Sequence, residues 1–278
     1  MAGGGTRADD WWIVRRLDLF VFEDDGIGAL DAYTRSYAYS PSVVEVHSAG
    51  GDKRVVAVAN ASFTDRFVTS IRSYGDLRRA VVCLTDDHPS FPVMSGEARF
   101  TAGTGRTCDL TLEPVMSVVE LRKLCFRSSE GALTDVKVYL TGVGNRAELL
   151  RETAFLPSET LNNGALSETD LGRLAYSGMV YRYLGSGHAE GDGTVYGTAS
   201  LYCYPNEAEE ESVGSPYTRL VIEGKLNGKT CYYPIPVNRD LYGEDGSGGV
   251  GRNCRYVYDL TLTRAGTESP DEVGLFHP

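Results

Sequence analysis

No stretch of about twenty consecutive apolar residues occurs in this chain, so it encodes no helix of membrane-spanning length. Positive charge is in deficit: 27 Lys and Arg stand against 38 Asp and Glu, for a net charge of −11. An acidic surface repels the phosphates of nucleic acids, which excludes them as expected partners. Histidine is scarce. His47, His88, His188 and His277 each stand apart from a second histidine or a carboxylate at metal-ligand spacing on a helix. The cysteines form no CxxC pair, which removes a zinc ribbon or a thioredoxin-like redox motif. The GxSxG elbow, the P-loop and the dinucleotide-binding glycine pattern are all missing. No enzymatic activity, catalytic residue, metal site or cofactor is therefore expected. His188, within GSGHAEGDG, reads as a solvated loop residue. A glycosidase carboxylate pair is recognised by geometry rather than spacing, so it stays open at this level.

What is present points to β structure. Apolar residues make up 42% of 278, enough for a core in one large domain or two ordinary ones. The 17 Tyr, with many Val and Thr, fit a pleated surface, and the 32 Gly supply turns. Cys83, Cys125 and Cys203 sit inside apolar strand patterns and read as buried free thiols, while disulfide connectivity is open. The acidic run Asn206–Glu211 reads as a solvated loop between strands. Trp11 and Trp12 could stack on a sugar or pack against a sheet, and packing is the favoured reading. Met1 runs directly into AGGGTRADD, with no signal-peptide pattern, so export would call for a leader outside this sequence.

Along the chain, WWIVRRLDLFVFEDDG predicts a strand buried on both faces and closed by a turn. SVVEVHSAGGDKRVVAVAN predicts a hairpin about a Gly-Gly-Asp turn. The three-and-four spacing in FTDRFVTSIRSYGDLRRAVVCL predicts short helices, with Thr64 and Asp76 as N-caps. Strands resume in SGEARFTAG, TCDLTLEPVMSVVELRKLCF and ALTDVKVYLTGV, and Pro114 predicts a break because proline gives no ladder donor. Regular alternation stops near residues 142–150, which places a domain boundary at 146/147 and domains at 1–146 and 147–278. A helix at Glu168–Leu174 capped by Ser167 is predicted, then a hairpin about Asn227-Gly228. In the last element Tyr256, Tyr258, Leu260 and Leu262 alternate with Arg255, Val257, Asp259 and Thr261, which reads as a half-buried antiparallel strand.

An ordered set of segments resembles the fimbrillin family, subunits of the type V pili of Bacteroides-like bacteria. The segments are TRA (Thr6–Ala8), LDLFVFEDDG (Leu17–Gly26), KRVVAVAN (Lys53–Asn60), FPVMSG (Phe91–Gly96), VVELRKL (Val118–Leu124), CYYPIPVN (Cys231–Asn238) and RNCRYVYDLTLTRAGTESPDE (Arg252–Glu272). The resemblance implies a mainly β protein of two tandem transthyretin-like antiparallel β-sandwich domains, with short helices in the connections. It implies a structural, non-catalytic pilus subunit with a role in cell adhesion, exported as a lipoprotein to the outer membrane. Its implied partners are other pilus subunits, joined by donor-strand exchange, and a host or bacterial surface ligand. The lipid anchor would not be in this chain. Arg7 matches the processing position, where cleavage would remove a strand from the N-terminal domain. The short EVGLFHP ending after the GT-x-x-PD pattern points to a tip, anchor or accessory subunit rather than the shaft. The competing reading is a surface carbohydrate-binding module that uses Trp11, Trp12 or the tyrosines of Tyr181–Tyr204.

Overall fold

The computed structural model describes residues 6–7, 12–150, 159–208, 211–212, 216–239 and 248–272. Strands β1 (Thr6–Arg7), β2 (Leu17–Glu23), β3 (Leu30–Ser36) and β4 (Gly51–Ala59) open the chain. Next come helices α1 (Asp65–Ser70) and α2 (Tyr74–Arg78), then β5 (Val81–Cys83), β6 (Met94–Ala102) and β7 (Glu113–Pro114). Strands β8 (Ser117–Phe126), β9 (Thr134–Thr141), β10 (Val143–Gly144), β11 (Arg146–Glu148) and β12 (Thr160–Leu161) lead to helix α3 (Glu168–Arg173). The chain continues through β13 (Tyr181–Gly185), β14 (His188–Glu190), β15 (Gly193–Tyr196), β16 (Ala199–Cys203), β17 (Arg219–Leu226), β18 (Lys229–Pro236) and β19 (Cys254–Leu262). The architecture is mainly β, in several largely antiparallel sheets with none closed into a barrel.

The chain divides into two compact units. One comprises Asp9–Val115 and Arg146–Thr153; the other comprises Met1–Ala8, Met116–Asn145 and Ala154–Pro278. The sequence reading puts the passage at 146/147. By contact, residues 116–145 go with the later part of the chain, because β8 and β9 find their partners there: β16 and β19 for β8, β13 and β17 for β9. The short strand β11 turns back to β5 in the first unit.

In the first unit the sheet order is β3-β2-β4-β6-β7. Strand β2 is central, with Phe20, Val21 and Phe22 fully buried, as its two-sided apolar pattern predicts. On one face Leu17, Ala57, Ala59 and Met94 form a core against which Trp12, Val14, Leu19, Val44, Leu110 and Leu112 pack. The hairpin predicted across Gly50-Gly51 does not form. Both edges of β4 are taken, by β2 and by β6, so residues 42–48 find no free edge on it. Thr64 caps α1 through the Phe67 N–H. The cap of α2 is Ser73, not Asp76, which sits three residues on and closes a reciprocal capping box. The strand breaks at Pro114 as expected, between β7 and β8.

In the second unit one sheet runs β1-β19-β8-β15-β14, with β16 also on β8, and the other runs β13-β9-β17-β18. The edge-on contact of Phe126 with Tyr233, at 6.5 Å, joins the two sheets. So does the Tyr196 hydroxyl, which donates to the Leu133 carbonyl at 2.9 Å. Asn227 and Gly228, both at positive φ, make the predicted turn between β17 and β18. Ser167 caps α3 as expected.

Candidate strand-acceptor edge

The last strand carries the feature of most functional interest. Tyr256, Tyr258, Leu260 and Leu262 are buried on its inner face, as their alternation predicts. Its direction differs from the expectation: β19 runs parallel to β8 from Arg255↔Val118 to Leu262↔Phe126. Alternation reports which face is buried and is the same for either direction, so it could not tell them apart.

The inner face is fixed by phenol hydroxyls. Tyr256 Oη accepts the Gly251 N–H at 2.9 Å and donates to the Gly249 carbonyl at 3.3 Å. Tyr258 Oη accepts the Asn238 N–H at 3.2 Å, and burial pushes its pKa up to about 12. Burial likewise raises Tyr256. The start of the strand is clamped by Ser117, whose Oγ accepts the Cys254 N–H at 2.9 Å and donates to the Gly251 carbonyl at 2.5 Å. Sequence reading missed Ser117, since a lone serine at a strand start carries no signal of a partner more than a hundred residues away. The outer face is charged: Arg122 Nε donates to Asp259 at 3.0 Å, and Arg255 lies 3.3 Å from Glu120. The bond from Arg122 is the main cause that holds the Asp259 carboxyl below its ordinary range.

The other edge of β19 is the one that takes β1. Among the described residues only Thr6 and Arg7 pair with it, opposite Arg255 and Cys254. The resemblance implies that the strand carrying Arg7 belongs to the N-terminal domain; here it lies on β19, in the unit built from the later residues. From Tyr256 to Leu262 no described strand pairs with this edge. Because β1 is antiparallel, a strand continuing back from Thr6 would run along these same residues. The first unit also ends on an edge strand, β3, and exposed Ile27, Tyr37 and Tyr39 flank it in the chain.

The other candidates fall elsewhere. Trp11 lies outside the described residues, and Trp12 packs against the first unit's core instead of standing free as a sugar platform. Of the tyrosines in 181–204, Tyr196 and Tyr204 are buried and Tyr183 is exposed. His188 is exposed, 3.6 Å from Glu190. The acidic run is not all solvated: Asn206 is buried, and Glu211 lies 2.6 Å from the buried Arg219. None of the six cysteines is joined in a disulfide. Cys83, Cys108 and Cys254 are half-buried, whereas Cys203 is enclosed, and burial pushes its thiol up to about 12. No cluster of His, Cys, Asp and Glu suited to a metal occurs among the described residues, and no described helix is long and apolar enough to cross a membrane.

No protein-family model and no curated protein matches the sequence. Solved structures do match. A proposed cell adhesion protein from Bacteroides eggerthii superposes with a TM-score of 0.67 at 19% identity, covering 99% of this chain and 90% of the other. A fimbrilin from Porphyromonas gingivalis gives 0.61 at 16% identity over 98% and 90%. The tip fimbrial protein Mfa3 of Porphyromonas gingivalis, truncated at its C-terminus, gives 0.56 at 15% identity over 88% of each chain. The chain resembles the fimbrilins in motif order and shares its fold with solved fimbrial and cell adhesion proteins.

Proposed function

We propose that this chain is a structural subunit of a cell-surface pilus with a role in adhesion, built from transthyretin-like sandwiches and joined to its neighbours by strand addition along β19. The observation that carries this reading is the edge of β19 away from β8, where among the described residues only Thr6 and Arg7, of the strand that contains the processing position, pair. An unpaired edge leaves a row of main-chain donors and acceptors open to another strand. Cleavage after Arg7 would detach β1 and free the whole edge for a donor. The inner face is already set by buried Tyr256, Tyr258, Leu260 and Leu262. A donor with apolar residues beside those four would bury its own side chains, at roughly 25 cal/mol per Å² of apolar surface. Export, lipid anchoring at the outer membrane and a tip, anchor or accessory place in the fibre complete the reading.

The test uses the chain cleaved after Arg7 and mixed with a neighbouring pilus subunit. Amide exchange at Asp259 and Thr261, whose main-chain groups point away from β8, should slow on mixing, and a species resistant to detergent should form. Assembly with no change in exchange on β19 would rule this edge out as the acceptor.

A further inference from the structure

One buried group has no part in strand addition. Lys53, on β4, exposes none of its side chain, and its Nζ lies 2.5 Å from Glu23 Oε1 and 2.9 Å from Asp31 Oδ2. Glu23 faces it directly, as its register partner on β2. Asp31 lies one strand further out, on the edge strand β3, and reaches the lysine through a break in the ladder. Val21 pairs with Ala32 and Phe22 with Leu30, so Asp31 is the extra residue of a bulge. A bulge re-aims the side chain it carries, and here it brings a carboxylate onto the amine of a strand with which β3 does not pair. The same Asp31 oxygen accepts the Ala49 N–H at 2.9 Å.

The geometry points to Lys53 and Asp31 as a self-modification site, at which the side chains condense to an intramolecular amide with Glu23 as proton shuttle. The atoms balance as follows. Glu23 takes a proton from the Lys53 ammonium, and the freed lone pair attacks Asp31 Cγ. The carbonyl electrons move onto Oδ2, where the Ala49 N–H stabilises the developing charge. Glu23 passes its proton to Oδ1, takes a second from the nitrogen and delivers that too. The Cγ–Oδ1 bond breaks, water leaves and the carbonyl re-forms. An ammonium and a carboxylate become one amide and one water, and Glu23 ends as it began.

Two features favour the reaction. Holding amine and carboxylate in contact replaces a bimolecular encounter, an advantage that reaches effective molarities on the order of 10⁵–10⁸ M. Glu23 is about one-third exposed, which leaves an exit for water. One feature slows it: although burial acts to lower the Lys53 pKa, the bonds to Glu23 and Asp31 outweigh it and keep the amine protonated at rest. A step that occurs once per molecule tolerates a small neutral fraction. The product would tie β4 across β2 to the edge strand β3, which among the described residues is laddered on one side only. This inference does not depend on the pilus reading.

The test is the intact mass of the denatured, purified full chain. The expected mass is lighter than the sequence by one water, and digestion should yield a branched peptide that joins the Asp31 and Lys53 segments. Glu23→Gln should retain the full mass. Wild-type protein at full mass after prolonged incubation would overturn the assignment and leave an ion triad. So would a water loss that maps to a cyclised Asp25-Gly26, Asp192-Gly193 or Asp245-Gly246 instead. The primary readout is on wild-type protein, so a variant that fails to fold does not blunt it.

Discussion

At the scale of single residues, polar atoms and close approaches decide more than exposed charge does. Ser117 is the clearest case. Its hydroxyl serves a main-chain donor and a main-chain acceptor at the start of β19. Ser117→Ala leaves both without that partner and should lower stability by about 1–3 kcal/mol. Arg122→Ala removes a more conspicuous contact, yet Arg122 and Asp259 are 64% and 43% exposed, so solvent screens the pair and the loss should be the smaller of the two. Urea midpoints of the two variants compare them directly, and an equal loss would contradict the ranking. Gly96 on β6 is set by space: a Cβ there would lie 1.9 Å from the Thr111 carbonyl oxygen. Gly96→Ala must push the 110–112 segment outward and should cost about 1–3 kcal/mol in the same assay. Nothing in FPVMSG signals this, because the crossing segment is distant in sequence. The cap at Ser167 was legible, since a cap depends only on the residues that follow it. At α2 the same signal was one turn ambiguous, because Ser73 and Asp76 cap each other's main chain.

At the scale of elements, β19 is the informative strand. The Leu262 carbonyl accepts the Arg127 N–H on the β8 side. Main-chain groups alternate between the two edges of a strand, so those of Leu260 face β8 as well, and those of Asp259 and Thr261 face the opposite edge. In the chain cleaved after Arg7, amide exchange should alternate: fast at Asp259 and Thr261, slow at Leu260 and Leu262. Uniform protection would mean that another strand covers the edge. The burial face of β19 was readable from its period-two pattern, and its parallel pairing was not. The hairpin at Asn227-Gly228 was readable because its turn and both strands are contiguous. The one expected at Gly50-Gly51 failed although its local signal was similar, because β6 from farther along the chain takes the edge of β4 that the hairpin needed.

At the scale of the whole molecule, the buried phenols set the behaviour at high pH. Burial raises Tyr139, Tyr233 and Tyr256, and takes Tyr258 to about 12. A phenol whose folded pKa lies above its unfolded value of about 10 adds stability that is complete below that pH. The contribution is lost as pH rises through the folded value. Unfolding should therefore begin between about pH 10 and 12, and phenolate absorbance should rise together with loss of the fold. Full ionisation near the ordinary value with the fold intact would contradict this. With none of the six cysteines in a disulfide, a reductant should leave the midpoint unchanged.

The amino-acid sequence alone determined the properties that depend on near neighbours: β class, alternating faces, the Asn227-Gly228 turn, the break at Pro114 and the absence of familiar catalytic spacings. The order of its motifs also pointed to the fold that solved fimbrial proteins share. Only the tertiary structure decided the direction of β19, the division of the chain into units, the place of Arg7 on the β19 edge and the meeting of Asp31 with Lys53. These depend on which distant strands compete for the same edge. A pattern of side chains names the face a strand buries, but hydrogen bonds between main chains choose its neighbour, and main-chain groups are nearly the same in every residue.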